Sequence, residues 1–398
     1  MTDLDITKCM EKFIENQELS GAALMVRKNG ELVYKNKWGY QSLEKEIPVE
    51  YNSIYRMMSM TKCVTGVAIL KLMEQGKIGL DDPVSKYIPE FAKLSVSVDS
   101  RYVFDKKKMK RLPWYLLTFR MDKVKTEAAK REITIRDLLS HASGLEQGLV
   151  GFLALLKMKN EDRTLKERVM RYSKYVLDFQ PGTGTGYSPA AGFDVLGYII
   201  EVITGMRYEE YLQKEICGPL EMKDTTFFLS EEQRSRLVDV YRRKKERLIN
   251  VTGTKADMGK ILHQDVMRFE QGCGGLFSTI IDYEHLAEML CNNGNYRGVQ
   301  VLKPETVELM HTEAQEQHLV PDPGFVWGLS VKIRENPEAG GSFATKGTYG
   351  WSGAFGTHFF VSPSDNLEVV FVTNRTDLEG SGSYVSKKVE ELVFGIYA

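Results

Sequence analysis

Segments with the character of β-strands lie near the two ends of this chain, and a long helix-rich stretch separates them. Near the start, residues 21–26 and 31–34 predict two strands, and Asn29-Gly30 predicts a tight hairpin turn because both residues tolerate positive φ. Three later segments also alternate: 326–333, 357–362 and 367–373. One antiparallel sheet built from both chain ends, flanked by helices and carrying an inserted helical lobe, is the most economical arrangement. The predicted fold class is therefore α/β, of the α+β type.

Helical patterns surround these strands and fill the middle of the chain. Residues 6–17 predict an amphipathic helix, and residues 383–394 predict a final helix. A largely apolar helix follows Ser59 and is expected to end near Gly76, which suits the position after a helix terminus. The segment 134–137 (TIRD) has the spacing of a capping box before another apolar pair.

The overall composition argues against several classes of partner. The chain has 398 residues, 42% hydrophobic and 27% charged, with a formal net charge of −1. These values are typical of a soluble globular protein and indicate neither a nucleic-acid partner nor a membrane partner. Two local basic runs, 106–111 and 242–245, predict solvated faces, with contact to an acidic partner as the alternative.

Neither the apolar segments nor the cysteines suggest export or a metal. No apolar run approaches the ~20 residues that cross a bilayer, and residues 1–5 lack the pattern of a secretory signal, so we expect a cytoplasmic protein. The cysteines are odd in number and scattered, which favours free thiols. They are Cys9, Cys63, Cys217, Cys273 and Cys291. No metal-ligand motif is present, and we expect no cofactor.

The chain contains two Ser-x-x-Lys motifs that differ in their surroundings. The first, 42–45, lies in a polar stretch that runs into Pro48. The second, Ser59 to Lys62, opens the long apolar helix. Residues i and i+3 share one face of a helix, so the ammonium can reach the hydroxyl, and the helix N-terminus favours negative charge on Ser59. A partly buried lysine loses its charge more easily, which would suit a base. The alternative is a capping serine followed by a surface lysine.

The residues around Ser59 resemble the nucleophile segment of class C β-lactamases, penicillin-binding proteins and related carboxylesterases. Further segments resemble landmarks of the same family, in the same order along most of the chain. They are 55–65 (YRMMSMTKCVT), 79–84 (GLDDPV), 134–145 (TIRDLLSHASGL), 181–183 (PGT) and 274–279 (GGLFST). The resemblance is weakest over about 95–130, which looks like an insertion. It implies a single β-lactamase-like catalytic domain over 1–398. The sheet part would comprise about 1–58 and 260–398, and the helical lobe about 59–259.

The resemblance also implies the catalytic residues. Ser59 would be the nucleophile, with Lys62 and Tyr187 transferring its proton. The backbone N–H groups of Ser59 and Ala354 would form the oxyanion hole. The family's Tyr-x-Asn element has Pro189 where the asparagine stands, so the amide that helps hold a β-lactam substrate is absent.

The family's third element, Lys-[Ser/Thr]-Gly on a strand beside the site, matches Trp351-Ser352-Gly353. All three residues are expected to contact substrate, as is Pro189, and Gly353 would let the strand backbone approach it closely. Residues 346–348 (KGT) have the wrong order for this element, and 350–354 (GWSGA) lacks the last glycine of a nucleophile elbow. The histidines His141, His285 and His358 are therefore not expected in a triad, although His358 is expected near the pocket.

These residues predict a serine hydrolase that forms an acyl-enzyme on Ser59. Loss of the asparagine and of the carboxylate-binding lysine favours a carboxylesterase that acts on small esters. A β-lactamase or D-alanyl-D-alanine carboxypeptidase, a peptide amidase, and a catalytically inactive binding protein are the alternatives. The expected partner is a small ester or amide substrate.

Overall fold

The structure, a computed structural model, describes residues 1–103, 110–158, 161–254, 257, 269–378, 380 and 382–398. The α-helices of these ranges are α1 Asp3–Glu15, α2 Thr61–Glu74, α3 Leu112–Thr118, α4 Ile135–Leu139, α5 Leu149–Lys157, α6 Leu165–Tyr172, α7 Ala191–Thr204, α8 Tyr208–Leu212, α9 Glu231–Ser235, α10 Ile280–Cys291, α11 Pro304–Met310, α12 Pro337–Gly340 and α13 Tyr384–Tyr397. The strands are β1 Gly21–Lys28, β2 Glu31–Ser42, β3 Ile47–Pro48, β4 Tyr55–Arg56, β5 Ser95–Ser97, β6 Thr126–Ala128, β7 Tyr241–Lys244, β8 Arg247–Asn250, β9 Phe277–Ser278, β10 Asn295–Tyr296, β11 Val299–Gln300, β12 Phe325–Trp327, β13 Lys332–Arg334, β14 Tyr349–Ser352, β15 His358–Ser362 and β16 Leu367–Thr373.

Both ends of the chain contribute to one large sheet, as the sequence predicts. The eight strands lie in the order β12-β13-β14-β15-β16-β1-β2-β3. Strand β1 pairs antiparallel with β16 on one side, where Met25 faces Val370, and with β2 on the other. The β1–β2 turn has positive φ at Asn29 (52°) and Gly30 (76°), which confirms the predicted hairpin.

Helices cover both faces of the sheet, and this explains why residues 21–26 of β1 are an unbroken apolar run. Ala23 and Met25 belong to the large core that also contains the apolar side of α2. Leu24 and Val26 point to the opposite face, where they pack with residues of α1 and α13. Alternate residues of one strand therefore face two different cores.

Two local predictions are wrong in detail. Residues 326–333 form two short antiparallel strands, β12 and β13, and not one strand. The chain reverses between them, where Ser330 has a φ of 70° and Gly328 lies against the backbone of Met310. An alternating pattern of apolar residues does not reveal such a turn when the turn residues are buried as well. The apolar helix begins at Thr61, and Ser59 lies in the 3₁₀ turn Met58–Met60 before it.

The segment between β5 and β6 contains most of the insertion that the sequence predicts over about 95–130. These two strands pair with each other, and α3 lies between them along the chain. Residues 104–109, which include most of the first basic run, lie outside the described part, as do residues 258–268 at the predicted return to the sheet. The second basic run lies on the β7–β8 hairpin. Within the described ranges, no helix is long and apolar enough to cross a bilayer.

Candidate active site

Ser59 lies at a sharp turn between β4 and α2. The residue before it, Met58, is buried and has a left-handed φ of 51°, which is costly for a side chain of this kind. The turn leads directly into α2, so the positive end of that helix lies beside the Ser59 hydroxyl. Ser59 itself is only partly buried.

Tyr187 and Lys62 converge on Ser59. The Tyr187 hydroxyl donates to Ser59 Oγ at 2.6 Å, and Lys62 Nζ lies 3.4 Å from the same oxygen. The Lys62 ammonium also lies 5.0 Å from the centre of the Tyr187 ring. The three residues that the sequence analysis brought together from distant positions are therefore in mutual contact.

The surroundings of Lys62 do not support the expectation that burial makes it lose its charge. Its ammonium is buried and donates to the carbonyl oxygens of Pro189 at 2.8 Å and Cys273 at 2.7 Å. With Ser59 Oγ these make three acceptors, which match the three N–H donors of the charged form. Burial by itself lowers the pKa of Lys62, but Tyr187, with Cys273 and Asp194, outweighs it, and the pKa lies above its ordinary value.

Asp194 and His141 contact the residues that surround Lys62 and Tyr187. The Asp194 carboxylate accepts from the Cys273 backbone N–H at 3.2 Å and so orients the carbonyl-bearing segment that binds Lys62. The His141 ring lies 4.8 Å from that of Tyr187, and its Nδ1 accepts from the Ser188 N–H at 3.1 Å. Burial, with the nearby Lys62, holds the pKa of His141 well below its usual range, so the ring is neutral and free to accept.

Gly353 allows the end of β14 to pack directly against the turn that carries Ser59. A Cβ at this position would lie 2.4 Å from the Met57 carbonyl oxygen and 2.2 Å from Thr357 Oγ1. The glycine is thus required by the approach of strand and turn, whereas the sequence analysis expected it to make room for substrate. The next residue, Ala354, follows this contact, and its backbone N–H has no hydrogen-bond acceptor among the described residues.

Aromatic rings form one wall beside Ser59. The Trp351 ring lies 5.2 Å from Tyr187 and 4.8 Å from Trp327. The Trp327 ring is stacked with Tyr187 at 6.3 Å and lies 4.4 Å from His141. The indole Nε1 of Trp351 is buried and has no hydrogen-bond partner among the described residues. The position that carries a lysine in the resembling β-lactamases is therefore part of an apolar wall.

A pocket of about 620 Å³ opens next to Tyr187 and Pro189. Its lining is largely apolar and includes Tyr102, Leu149, Phe152, Phe179 and Pro321. No lysine or arginine is among the described residues that line it. The site thus offers an apolar groove near the partly buried Ser59 hydroxyl. Its cation, Lys62, is already bound to backbone carbonyls.

Ser352 and His358 lie on the other face of the sheet. Ser352 Oγ is 2.7 Å from His358 Nδ1, and His358 Nε2 is 3.0 Å from Glu390 Oε1. The His358 ring packs near Phe360, which belongs to the core under α1 and α13. The side chains of Ser352 and His358 therefore point away from the face that carries Trp351, because adjacent strand residues point to opposite faces. Contact of Ser352 with substrate and a position of His358 beside the pocket stay predictions, which this orientation does not favour.

Comparison with known proteins identifies the family of this chain. The family model described as "Beta-lactamase" matches residues 6–393. The chain belongs to the beta-lactamase family. This family comprises serine hydrolases that share the fold described above.

This chain is similar along most of its length to relatives whose names differ. Protein Rv1367c of Mycobacterium tuberculosis is 30% identical over 372 residues, covering 89% of this chain and 85% of the relative. Esterase EstB of Burkholderia gladioli is 24% identical and covers 96% and 93% of the two chains. The solved structure of EstCE1, a hydrolase with promiscuous acyltransferase activity, aligns with a TM-score of 0.78 at 22% identity, covering 98% and 97%. The fold is thus shared along almost the whole length.

Glu146 is a residue of this site that the sequence analysis missed. Its Oε2 accepts from the N–H groups of Ala190 at 2.8 Å and Ala191 at 2.7 Å, at the start of α7. Its other oxygen has no partner among the described residues, and the residue has a left-handed φ of 58°. Burial raises the pKa of Glu146 to about 7, although both N–H groups act to lower it. Glu146 directly follows the segment 134–145, but nothing in the spacing relates it to Ala190 and Ala191.

Proposed function

We propose that this beta-lactamase family member hydrolyses small carboxylic esters through an acyl-enzyme on Ser59. The observation that carries the proposal is the 2.6 Å hydrogen bond from Tyr187 to Ser59, made while Lys62 is held on two carbonyls. In this arrangement Tyr187 is the group that exchanges a proton with the serine, and Lys62 supplies a fixed positive charge.

The proposed first half-reaction forms the ester with the enzyme. Tyr187, as phenolate, accepts the Ser59 proton while Oγ attacks the substrate carbonyl carbon, and the carbonyl electrons move to oxygen. The Lys62 ammonium, 5.0 Å from the centre of the Tyr187 ring, provides a positive charge beside the groups that exchange the proton. The resulting oxyanion accepts hydrogen bonds from the Ser59 and Ala354 N–H groups. Tyr187 then returns the proton to the departing alkoxide, which leaves as the alcohol.

The second half-reaction releases the acid. Water enters the position of the alcohol, loses a proton to Tyr187, and attacks the acyl carbon through the same oxyanion geometry. Collapse of this intermediate expels Ser59 Oγ, which regains a proton from Tyr187. One ester and one water are consumed, and one alcohol and one carboxylic acid are released.

The nature of the pocket favours esters over β-lactams. A β-lactam carries a carboxylate, and neither Trp351 nor the described lining of the pocket offers it a cation. A charge-assisted hydrogen bond to a ligand is worth about 1.5–3 kcal/mol, so its loss weakens recognition about 10- to 150-fold. Pro189 contributes only a carbonyl, and that oxygen already accepts from Lys62. Trp351 instead presents an apolar surface that suits an acyl chain or an alcohol group.

Steady-state kinetics test the substrate class. We expect kcat/KM for p-nitrophenyl acetate and butyrate to exceed that for nitrocefin. Trp351→Lys should shift the ratio toward nitrocefin, whereas Phe343→Lys, at an exposed position outside the described lining of the pocket, should leave the ratio unchanged. A preference for nitrocefin or for a D-alanyl-D-alanine peptide in the wild-type protein would overturn the assignment in favour of a β-lactamase or a peptidase.

A separate experiment tests whether the site is catalytic at all. A fluorophosphonate should form one covalent adduct, detected by intact mass and located at Ser59 by peptide mapping. An inactive binding protein would give no adduct, although its fold would be the same.

A further inference from the structure

The short helix α3, within the predicted insertion, exposes large apolar side chains to solvent. Tyr115 is its buried residue, whereas Trp114 is 48% exposed and Leu117 is 84% exposed. Residues three apart lie on the same side of a helix, so these two side chains form one outward surface. Val103, close to the helix along the chain, is 62% exposed.

The helix is anchored, so the exposure is a feature of its packing and not of a loose end. The Tyr115 hydroxyl donates to the Arg101 carbonyl at 3.2 Å, and its ring lies 6.0 Å from that of Tyr102. From α5, Lys157 Nζ donates to the Phe119 carbonyl at 2.7 Å. With its inner side fixed in this way, α3 presents Trp114 and Leu117 outward.

This apolar surface lies within the most basic part of the chain. The described residues 101–103 and 110–125 contain six Lys or Arg and one Asp, in a chain whose overall charge is −1. One of the six, Arg101, is paired with Asp99. Lys110 and Arg111 are exposed at the start of α3, and the Arg111 guanidinium lies 5.1 Å from the Trp114 ring. This region is therefore strongly basic, although the total charge of the chain is close to neutral.

The same region borders the pocket of the proposed active site. Tyr102 and Val103 line the pocket together with Tyr187 and Pro189. An object that binds to the exposed side of α3 would thus lie at one rim of the groove that leads toward Ser59.

We propose that Val103, Lys110, Arg111, Trp114 and Leu117 form a docking surface for an anionic lipid bilayer. Lys and Arg side chains near an anionic bilayer are attracted to its surface potential, and Trp and Leu favour the boundary between headgroups and acyl chains. A purely acidic protein partner would account for the basic residues but gives no reason for Leu117 to be the most exposed of these apolar side chains. The docking surface does not depend on the chemistry at Ser59.

Vesicle flotation of the full-length protein tests this surface. We expect binding to vesicles of phosphatidylcholine mixed with phosphatidylglycerol, weaker binding as salt is raised, and little binding to phosphatidylcholine alone. The double variant Lys110→Glu/Arg111→Glu should reduce partitioning at least ~10-fold, because each basic residue near such a surface contributes about 1 kcal/mol. Leu117→Glu should reduce it as well. Phe343→Glu, at a site that is 63% exposed elsewhere, is the matched control and should bind like the wild type.

Tryptophan fluorescence provides an independent readout. Trp38, Trp327 and Trp351 are each buried, so a blue shift on addition of anionic vesicles should come from Trp114 and should vanish in Trp114→Phe. Absence of binding to anionic vesicles, or binding that is unchanged in Leu117→Glu and in the charge-reversed variant, overturns the proposal. Capture of an acidic protein without any vesicle binding also overturns it. Circular dichroism verifies the fold of each variant, and fluorophosphonate labelling reports on Ser59 separately.

Discussion

Two serines on opposite faces of the sheet each have a hydrogen-bonded side-chain partner. Ser59 has Tyr187 at 2.6 Å and lies in a strained turn beside a pocket. Ser352 has His358 at 2.7 Å, which in turn contacts Glu390 at 3.0 Å. By side-chain chemistry alone, the second set has the composition of a serine-histidine-glutamate triad.

The surroundings, more than the partners, distinguish the two serines. Ser352 lies within β14 and is 3% exposed, with Arg334 paired to Glu390 behind it. Ser59 is more accessible and is followed by a helix whose N-terminus favours negative charge. A nucleophile needs room for a substrate carbonyl and donors for its oxyanion, and a hydrogen-bonded chain of side chains provides neither. Ser352 and His358 are also directly opposed in the β14–β15 pair, so their contact ties these strands together.

The largest expected effect distinguishes the serines directly. Ser59→Ala should lower ester hydrolysis more than ~10³-fold and abolish fluorophosphonate labelling, because the attacking oxygen is gone. Ser352→Ala should retain labelling at the wild-type stoichiometry. Labelling that persists in Ser59→Ala and disappears in Ser352→Ala would reverse the assignment of the two sites.

The next largest losses of activity are expected from changes to the two residues that contact Ser59. Tyr187→Phe and Lys62→Ala should each reduce kcat by about 10²- to 10⁴-fold, since positioned proton-transfer groups usually contribute this much. The double variant should lose less than the product of the single losses, because the two residues act as a unit. Kinetics of purified variants with p-nitrophenyl acetate measure this. Near-normal turnover in Tyr187→Phe would eliminate the tyrosine from proton transfer.

Gly353→Ala should disturb the contact between the end of β14 and the turn that carries Ser59. The added Cβ has no space between the Met57 carbonyl and Thr357, so β14 must move away from the Ser59 turn and carry the Ala354 N–H with it. Loss of one oxyanion donor costs about 10²- to 10³-fold in kcat. Gly350→Ala, which is also crowded but lies on the same strand away from the turn, is a control for general damage to β14. Equal losses in both variants would show that strand integrity, and not donor position, is responsible.

His358→Ala should affect stability more than turnover. It removes the partner of Ser352 and one partner of Glu390, which leaves buried polar groups unpaired at about 1–3 kcal/mol of unfolding free energy. Urea unfolding should report this loss, while kcat per folded molecule changes less than about threefold if the cluster is structural. A loss of kcat comparable to that of Tyr187→Phe would contradict the structural role.

The smallest effects concern buried carboxylates on the two faces, which respond to pH in opposite ways. Burial raises the pKa of Glu146 to about 7 from an ordinary value of 4.5. Burial also acts to raise the pKa of Glu390, but His358 and Arg334 outweigh it and hold that pKa below its ordinary value. For Glu146 the folded state binds the proton more tightly, so its contribution is present below about pH 4.5 and is lost as the pH rises toward 7. For Glu390 the contribution is lost as the pH falls below about 4.5.

Unfolding free energies of two neutral variants across this pH range test that contrast. The difference between the wild type and Glu146→Gln should fall as the pH rises from about 4.5 to 7 and stay constant above it. The difference between the wild type and Glu390→Gln should change only below about pH 4.5. Parallel pH profiles for the two variants would show that the two carboxylates are in equivalent electrostatic environments, contrary to the structure.

Features that depend on local physics could be predicted from residue types and spacing. The Asn29-Gly30 turn, the Thr134–Asp137 capping box and strand β16 follow from residue types and spacing, and the structure confirms them. The position of Ser59 three residues before Lys62, close to an apolar helix, also follows from spacing, although the helix itself begins at Thr61. These features involve neighbours along the chain, so their interactions are visible in a short window of sequence.

The residues from distant segments that surround each site side chain could be seen only in the tertiary structure. Spacing did not show that Lys62 is held by the carbonyls of Pro189 and Cys273. Nor did it show that Tyr187, with Cys273 and Asp194, raises the pKa of Lys62 where burial alone would lower it. Nor did it show that Trp351 faces the nucleophile while Ser352, the next residue, faces the other core. The period of a strand separates its two faces, but packing between remote elements chooses which face meets the site.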